Sequence, residues 1–277
     1  MKKFKKIIVK LCVALYAALF LIISILPFYL MLINSVKSSR DYGRNGFFSM
    51  PQEIKLSNYV KVFEDGIFIY FKNSLIVTIV SLILLLFVAL CASYAFSRMK
   101  LKWTNTLFMF VVACMSISIH VALIPIYLLT RDVGLYDTLA GLVGPYVAFN
   151  LPITIFILTN FMKEIPVELE EAAKIDGCGH IRLFSTIIVP LSKAGIVTVA
   201  IYDAIAMWNE FSFALVLTQS PESRTLPLAL WNYRGQYSSN VPMLFAVLFI
   251  SVIPMILAFA FGQDKLIKGM MAGAVKG

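Results

Sequence analysis

The sequence predicts an all-α integral membrane protein with six transmembrane helices and both termini in the cytoplasm. Three observations lead there. Of its 277 residues, 60% are hydrophobic and 14% charged, and the mean hydropathy is +0.86; a soluble domain does not have that composition. Six nearly charge-free intervals are each long enough to supply the ~20 apolar residues that a bilayer core requires. Lys and Arg fall unevenly on the segments between those intervals, which orients the chain.

The basic stretch 1–10, MKKFKKIIVK, precedes the first interval, 11–33. It resembles the charged start of a signal peptide. The apolar run is long enough to span, however, and no small-x-small cleavage site follows, so it reads as an uncleaved span. Residues 34–72 form an external segment. Within it, LSNYVKVF (56–63) is either a short amphipathic helix at the membrane interface or a surface loop. Residues 73–262 form a core holding the remaining spans: 73–97; 103–130, broken by Pro125 near its end; 138–162; 190–217, interrupted by Asp203 and Glu210; and 242–263, with Pro254 inside. Pro125, Pro152 and Pro254 each remove a backbone donor and are expected to kink their helices. Residues 263–277 form a tail. With the N-terminus inside, 15 of the 24 basic residues are cytoplasmic, and six of the other nine lie between Lys37 and Lys72. The short-loop bias therefore places both termini, and the loop 163–189, in the cytoplasm.

That loop is the polar island of the chain: EIPVELEEAAKIDGCGHIRLFSTIIVP at 164–190. Pro166 suits a first helical turn. Glu168, Glu170 and Glu171 fall where the helix dipole favours negative charge. Ala172 and Ala173 are strong helix formers with little bulk, and Gly177 suits a left-handed C′ stop. A second short helix is expected from about Ile181 to before Pro190. The segment is either a long polar loop or a knob whose small residues let another protein approach closely.

The sequence also excludes much chemistry. Cys12, Cys91, Cys114 and Cys178 have no paired spacing, so neither a disulfide framework nor a zinc site is indicated, and no metal site is expected. No glycine precedes a lysine followed by Ser or Thr, so there is no phosphate-binding P-loop. The chain is not expected to be an enzyme or to bind nucleic acid. Asp203 and Glu210 are seven apart in one span, hence on nearly one face. With Trp208 and Asn209 they either line a water-filled path or make interhelical contacts. His120 is either a proton-coupling group or an interface histidine.

Glu171-Ala172-Ala173, three residues, Gly177, nine residues, Ile187, one residue, Val189-Pro190 resembles the EAA motif (E-A-A-x3-G-x9-I-x-L-P) of permease subunits in binding-protein-dependent ABC importers, with Val189 for the usual Leu. IPIYLL, GLYDTLAGL, IPVELEEAAKIDG, WNEF, TLPLAL and the terminal KGMMAGAVKG follow in the order seen in the second permease of the carbohydrate branch. The likeness covers most of residues 55–277.

The resemblance implies a multi-pass subunit of a bacterial cell membrane, paired with a homologous second permease, two cytoplasmic ATPases that bind ATP and Mg, and an external solute-binding protein. It implies that the loop between spans 4 and 5 is a coupling helix seated on an ATPase. Glu171, Ala172, Ala173 and Gly177 would be its contact core, Asp176 a local cap or partner, and the other acids would orient the dock. It implies that the tail, with Gly273, Ala274, Val275, Lys276 and Gly277, enters between the ATPases; simple disorder is the alternative reading of the tail. It leaves the sugar open. Two other functions compete: an ion-coupled secondary transporter using His120, Asp203 and Glu210, against which stands the lack of a repeated half, and an ABC permease for a solute other than a sugar.

Overall fold

The computed structural model describes residues 2–99, 102–229 and 240–274, with side chains for 6–99, 102–229, 240–257 and 259–260. Among these every regular element is helical. The chain divides into two compact units: residues up to 68 with the start of the last helix, and residues 69–228 with the rest of it.

The first unit opens with α1 (Lys2–Ser35), an apolar helix of membrane-spanning length. None of its most hydrophobic 18-residue window is buried within the chain, so its surface suits hydrocarbon rather than a protein core. At its C-terminal end the side chains turn polar and the backbone folds back. Asn34 donates to the Leu30 and Phe47 carbonyls (2.7 and 3.0 Å), and Asn58 donates to the Ser35 and Lys37 carbonyls (2.7 and 2.8 Å). α2 (Ser39–Asn45) is capped by Ser38, whose hydroxyl accepts from the Asp41 N–H. α3 (Ser57–Glu64) makes 56–63 a helix, with Val62 buried and Val60 and Phe63 exposed. Lys37 is fully buried and donates to the Gly46 carbonyl (2.9 Å) and Ser49 (3.0 Å). Burial lowers its pKa, and nearby Asp41 opposes that shift. Phe47 packs at a tilt against Phe245 of α14 (Val241–Ala274), with ring centroids 5.7 Å apart.

The second unit holds α4 (Ile67–Arg98) and α7 (Leu139–Lys163), both long and apolar enough to span. α7 is capped by Thr138, which accepts from the Gly141 N–H. Between them, α5 (Thr104–Ala113), a 3-10 turn (Cys114–Ser116) and α6 (Ile119–Asp132) correct the expected third span. The break lies not at Pro125, which sits inside α6, but at the extended residue Ile117, where the two arms meet at 99°. Pro125 is the seventh residue of α6, beyond the first turn, so it withdraws a donor that would otherwise reach the Val121 carbonyl, and the helix nevertheless continues through it to Asp132.

The expected fifth span is also broken. α11 (Lys193–Trp208) follows a segment ending at Leu191 at 73°, and stops well before Leu217, leaving α12 (Ser212–Leu217) as a separate short helix. α13 (Leu226–Ala229) is a further short turn. α7 and α11 approach closely at Gly195, where a Cβ would lie 2.6 Å from Phe161 Cγ. Their shared core holds Ile155, Leu158 and Val199 with Ala89 of α4. A second core gathers Val77, Leu85, Leu142, Tyr146, Met207 and Phe213.

Candidate functional site

The polar island folds as the sequence suggests and then adds contacts the sequence hid. α7 ends at Lys163, and α8 (Glu168–Ile175) begins two residues after Pro166 with three glutamates in its first turn. Gly177 has φ +81°. Its N–H bonds the Lys174 carbonyl (3.0 Å), and the Cys178 N–H bonds the Ala173 carbonyl (2.9 Å). These are the two hydrogen bonds of a Schellman stop. Cys178 packs with Ala173 in one apolar cluster, the hydrophobic contact that accompanies that motif.

The second helix continues further than expected. α9 (His180–Leu183) runs into a π turn (Phe184–Ile188) and α10 (Val189–Leu191), so Pro190 lies inside the helical run rather than after it. The physical reason is the wide turn: a proline ring clashes with the carbonyl four residues back, and a π turn opens the backbone there. The Val189 N–H accordingly reaches the Phe184 carbonyl.

A buried ion pair holds the loop to the membrane helices. Arg98, the last residue of α4, places Nε 2.7 Å from Glu170 Oε1, with side-chain exposures of 7% and 6%. The pair is close but not aligned as a hydrogen bond. Arg98 Nη2 also donates to the Met162 and Ile165 carbonyls, the second at 2.7 Å, and so satisfies the backbone where α7 ends. One turn earlier on α4, the Tyr94 ring packs at a tilt against Phe184, with centroids 5.1 Å apart. Tyr94 and Arg98 are four apart and share a helix face. Together they connect the end of α4 to both halves of the loop.

This rearranges the expected contact core. Ala173 is buried against Tyr94, Met162, Leu183 and Ile188; its small size lets α8 sit on its own chain and does not present a surface to another protein. Glu170, read as an orienting acid, is enclosed. Glu171, Ala172, Asp176 and Gly177 are exposed, and beside them stand Ile175 at 86% and Ile181 at 85%. Sequence reading missed Arg98 because it counts there only as one more cytoplasmic charge. The available signal was an arginine one turn after a tyrosine at the end of a span.

The residues grouped as a possible path separate. Asp203 is fully buried and accepts from Thr154 Oγ1 of α7 at 2.8 Å. Trp208 is buried, edge-on to Phe71 at 5.5 Å. Glu210 accepts from the Phe213 and Ala214 N–H groups (2.8 and 3.2 Å), holding the first turn of α12. Asn209 is exposed and bonds its own helix at Ile205 (2.9 Å). His120 is exposed. Of the tail, Gly273 and Ala274 close α14, while Val275, Lys276 and Gly277 lie outside the described residues.

A second polar hub, unread in the sequence, sits between α6 and α7. Asp137 adopts φ +57°. Its Oδ1 accepts from the Gln219 N–H (2.7 Å), the Ser220 N–H (2.9 Å), Ser220 Oγ (3.1 Å) and Ser223 Oγ. Burial would raise this carboxyl, but the hydrogen bonds outweigh it and bring the pKa to about 2. Asn73 pins the same loop at the Glu222 and Arg224 carbonyls, and Ser74 at the Leu226 N–H.

This arrangement, broken apolar helices carrying an anchored loop with an E-A-A stretch, is that of an importer's membrane component, and the chain belongs to the family described as binding-protein-dependent transport system inner membrane component, which matches residues 86–270. It is 49% identical over 263 residues to the ABC transporter permease protein ORF2 of Caldicellulosiruptor sp. (strain Rt8B.4), covering 95% of this chain and 96% of that one. It is 31% identical over 267 residues to the melibiose/raffinose/stachyose import permease protein MelC of Bacillus subtilis (strain 168), covering 96% of each. Its fold matches a chain of a bacterial ABC transporter involved in import of the acidic polysaccharide alginate, with TM-score 0.80, 23% identity, and coverage of 93% of this chain and 96% of that one.

Proposed function

We propose that this chain is one of two membrane subunits of an ATP-driven sugar importer, for a substrate of oligosaccharide size, and that it forms half of the translocation path. The observation that carries the reading is the loop. α8 is clamped through Arg98 and Glu170 to the ends of α4 and α7, so a push on its exposed side reaches two membrane helices at once. The similarity to a melibiose/raffinose/stachyose import permease supports the sugar. In this reading the chain has six spans with both termini cytoplasmic, in the segments 1–10, 11–33, 34–72, 73–262 and 263–277, with the coupling loop at 163–189. Its partners are a homologous permease, two ATPases carrying ATP and Mg, and an external solute-binding protein. Ile175 and Ile181, with Glu171, Ala172, Asp176 and Gly177, form the ATPase contact, and the tail from Gly273 to Gly277 reaches between the ATPases.

Asp203 is engaged by Thr154 and Glu210 by the start of α12, which speaks against their acting with His120 as a proton relay. The test is reconstitution of the chain in proteoliposomes with its sister permease, ATPases and binding protein. ATP-dependent uptake of a raffinose-type sugar is expected. Uptake by this chain alone, driven by a proton gradient, would overturn the reading.

A further inference from the structure

Beside the coupling helix lies a cavity of about 500 Å³ that nothing above uses. It is lined from the end of α4, the start of α5, the end of α7 and one face of α8. The charged groups facing it are Arg98, Lys102, Lys163, Lys174, Glu170 and Glu171. Arg98 and Glu170 neutralise one another. That leaves three ammonium groups against the single carboxylate of Glu171. Among the described residues, none of the three lysines is joined to a carboxylate in an ion pair. Lys163 instead lies 5.0 Å over the Phe108 ring. The cavity is also lined by the neutral amide of Asn105, while the Ser97 hydroxyl donates to the Tyr94 carbonyl. Unneutralised lysines around a concave, polar space suit an anion with several acceptor oxygens.

The surroundings say which anion. α5, which supplies one wall, also bears exposed Leu107, Met109 and Phe110, and Trp103 just before it is 63% exposed. A tryptophan preceded by lysines and followed within a turn by bare apolar residues is the pattern of a membrane interface. Basic pockets between membrane helices at that level bind anionic headgroups. A free phosphate could use the lysines but has no use for the adjoining apolar face.

We infer that this cavity binds the phosphate of an anionic phospholipid headgroup, with Lys102, Lys163 and Lys174 as its cationic contacts and the acyl chains along α5. Because Lys174 belongs to α8 and Lys102 to the α4–α5 turn, a bound headgroup bridges the coupling helix to the membrane helices. Anionic lipid then tunes how readily α8 moves. The inference takes from the family reading only that this end of the helices meets a bilayer surface. Lipid binding is measured apart from transport, so failure of either leaves the other standing.

The experiment is native mass spectrometry of the purified complex titrated with phosphatidylglycerol or phosphatidylcholine, with and without inorganic phosphate. Phosphatidylglycerol is expected to bind in preference, with about fivefold loss of affinity for each lysine replaced by Gln, as about 1 kcal/mol per basic residue implies. Lys55→Gln, in the other unit, is expected to change nothing, and Asn105→Glu to weaken binding as a lysine loss does. Retention of ATPase subunits in the same spectra shows that a variant is folded. Equal binding of the two lipids, or unchanged preference in the triple lysine variant, would overturn the inference. Displacement of the lipid by inorganic phosphate would overturn the lipid as its occupant.

Discussion

Arg98 and Glu170 show how much one residue pair can decide. Each is buried, so removing either leaves a charge without a partner, at a cost of about 3–5 kcal/mol. Arg98→Ala and Glu170→Gln are each expected to lower the thermal midpoint of the complex, and to blunt stimulation of the ATPases by the loaded binding protein. Arg98→Met with Glu170→Met is expected to recover stability but not coupling; thermal scans and ATPase assays on the same preparations check both. Gly177 is a conformational case. A Cβ there would meet nothing within 4 Å, but φ is +81°, a geometry that costs an ordinary residue about 1–2 kcal/mol. Gly177→Val should uncouple the complex while Gly177→Asn, tolerant of that region, should not; ATPase stimulation unchanged in the Val variant would count against this. Asp137 carries a pH dependence. Its folded pKa, about 2, lies below its ordinary 3.8. Its stabilising contribution is therefore complete above about pH 4 and is lost as pH falls through about 2. Asp137→Ala should lose about 1–3 kcal/mol and flatten the acid limb between those values, and Asp137→Asn should lose less; a melting series against pH decides.

Among the elements, the close crossing of α7 and α11 makes the sharpest prediction. Gly195 lets Phe161 lie where a Cβ would be. The nearest atoms are Phe161 Cγ at 2.6 Å, Cδ2 at 2.8 Å and Cβ at 3.1 Å, and since Cβ and Cγ are the base of the side chain, turning the ring alone does not clear the conflict. Gly195→Ala should lower the thermal midpoint, through overpacking of about 1–3 kcal/mol. Phe161→Ala in the same chain should restore part of it, and additive losses in the double variant would show that the two do not meet. The broken helices have local causes of different kinds. Ile117 interrupts the third apolar run with extended backbone, flanked by Ser116 and Ser118, whose side chains compete with helix. Pro190 is accommodated by a π turn, and the helical run bends only after Leu191, at Ser192. The break at Ile117 does not show in hydropathy, because the residues around it remain apolar.

For the molecule as a whole, assembly rests on what the chain leaves uncovered. Ile175→Asp with Ile181→Asp should abolish co-purification of the ATPases while membrane insertion stays intact, since both side chains are exposed and make no core. Recovery of the ATPases at full stoichiometry would sink the coupling surface assigned here. The apolar stretch of α1 belongs at this scale too: its most hydrophobic 18 residues are uncovered by the chain itself, as suits a segment with a bilayer around it.

Much of this protein was legible in the sequence. Charge-free runs marked α1, α4 and α7, matching α7 to one residue at each end but starting nine residues inside α1 and six inside α4; a bilayer demands length and hydrophobicity, and both are properties of the chain itself. The spacing of Glu171, Ala172, Ala173 and Gly177 located the loop, and Gly177 as its stop, since a Schellman end depends on local backbone alone. The tertiary structure alone decided which face of α8 points where. It turned Ala173 and Glu170 inward, joined Glu170 to Arg98 from 72 positions earlier, sent Asp203 to Thr154, and gave Asp137 its four donors. Those pairings depend on which helices lie side by side, and no periodicity within a single helix encodes its neighbour.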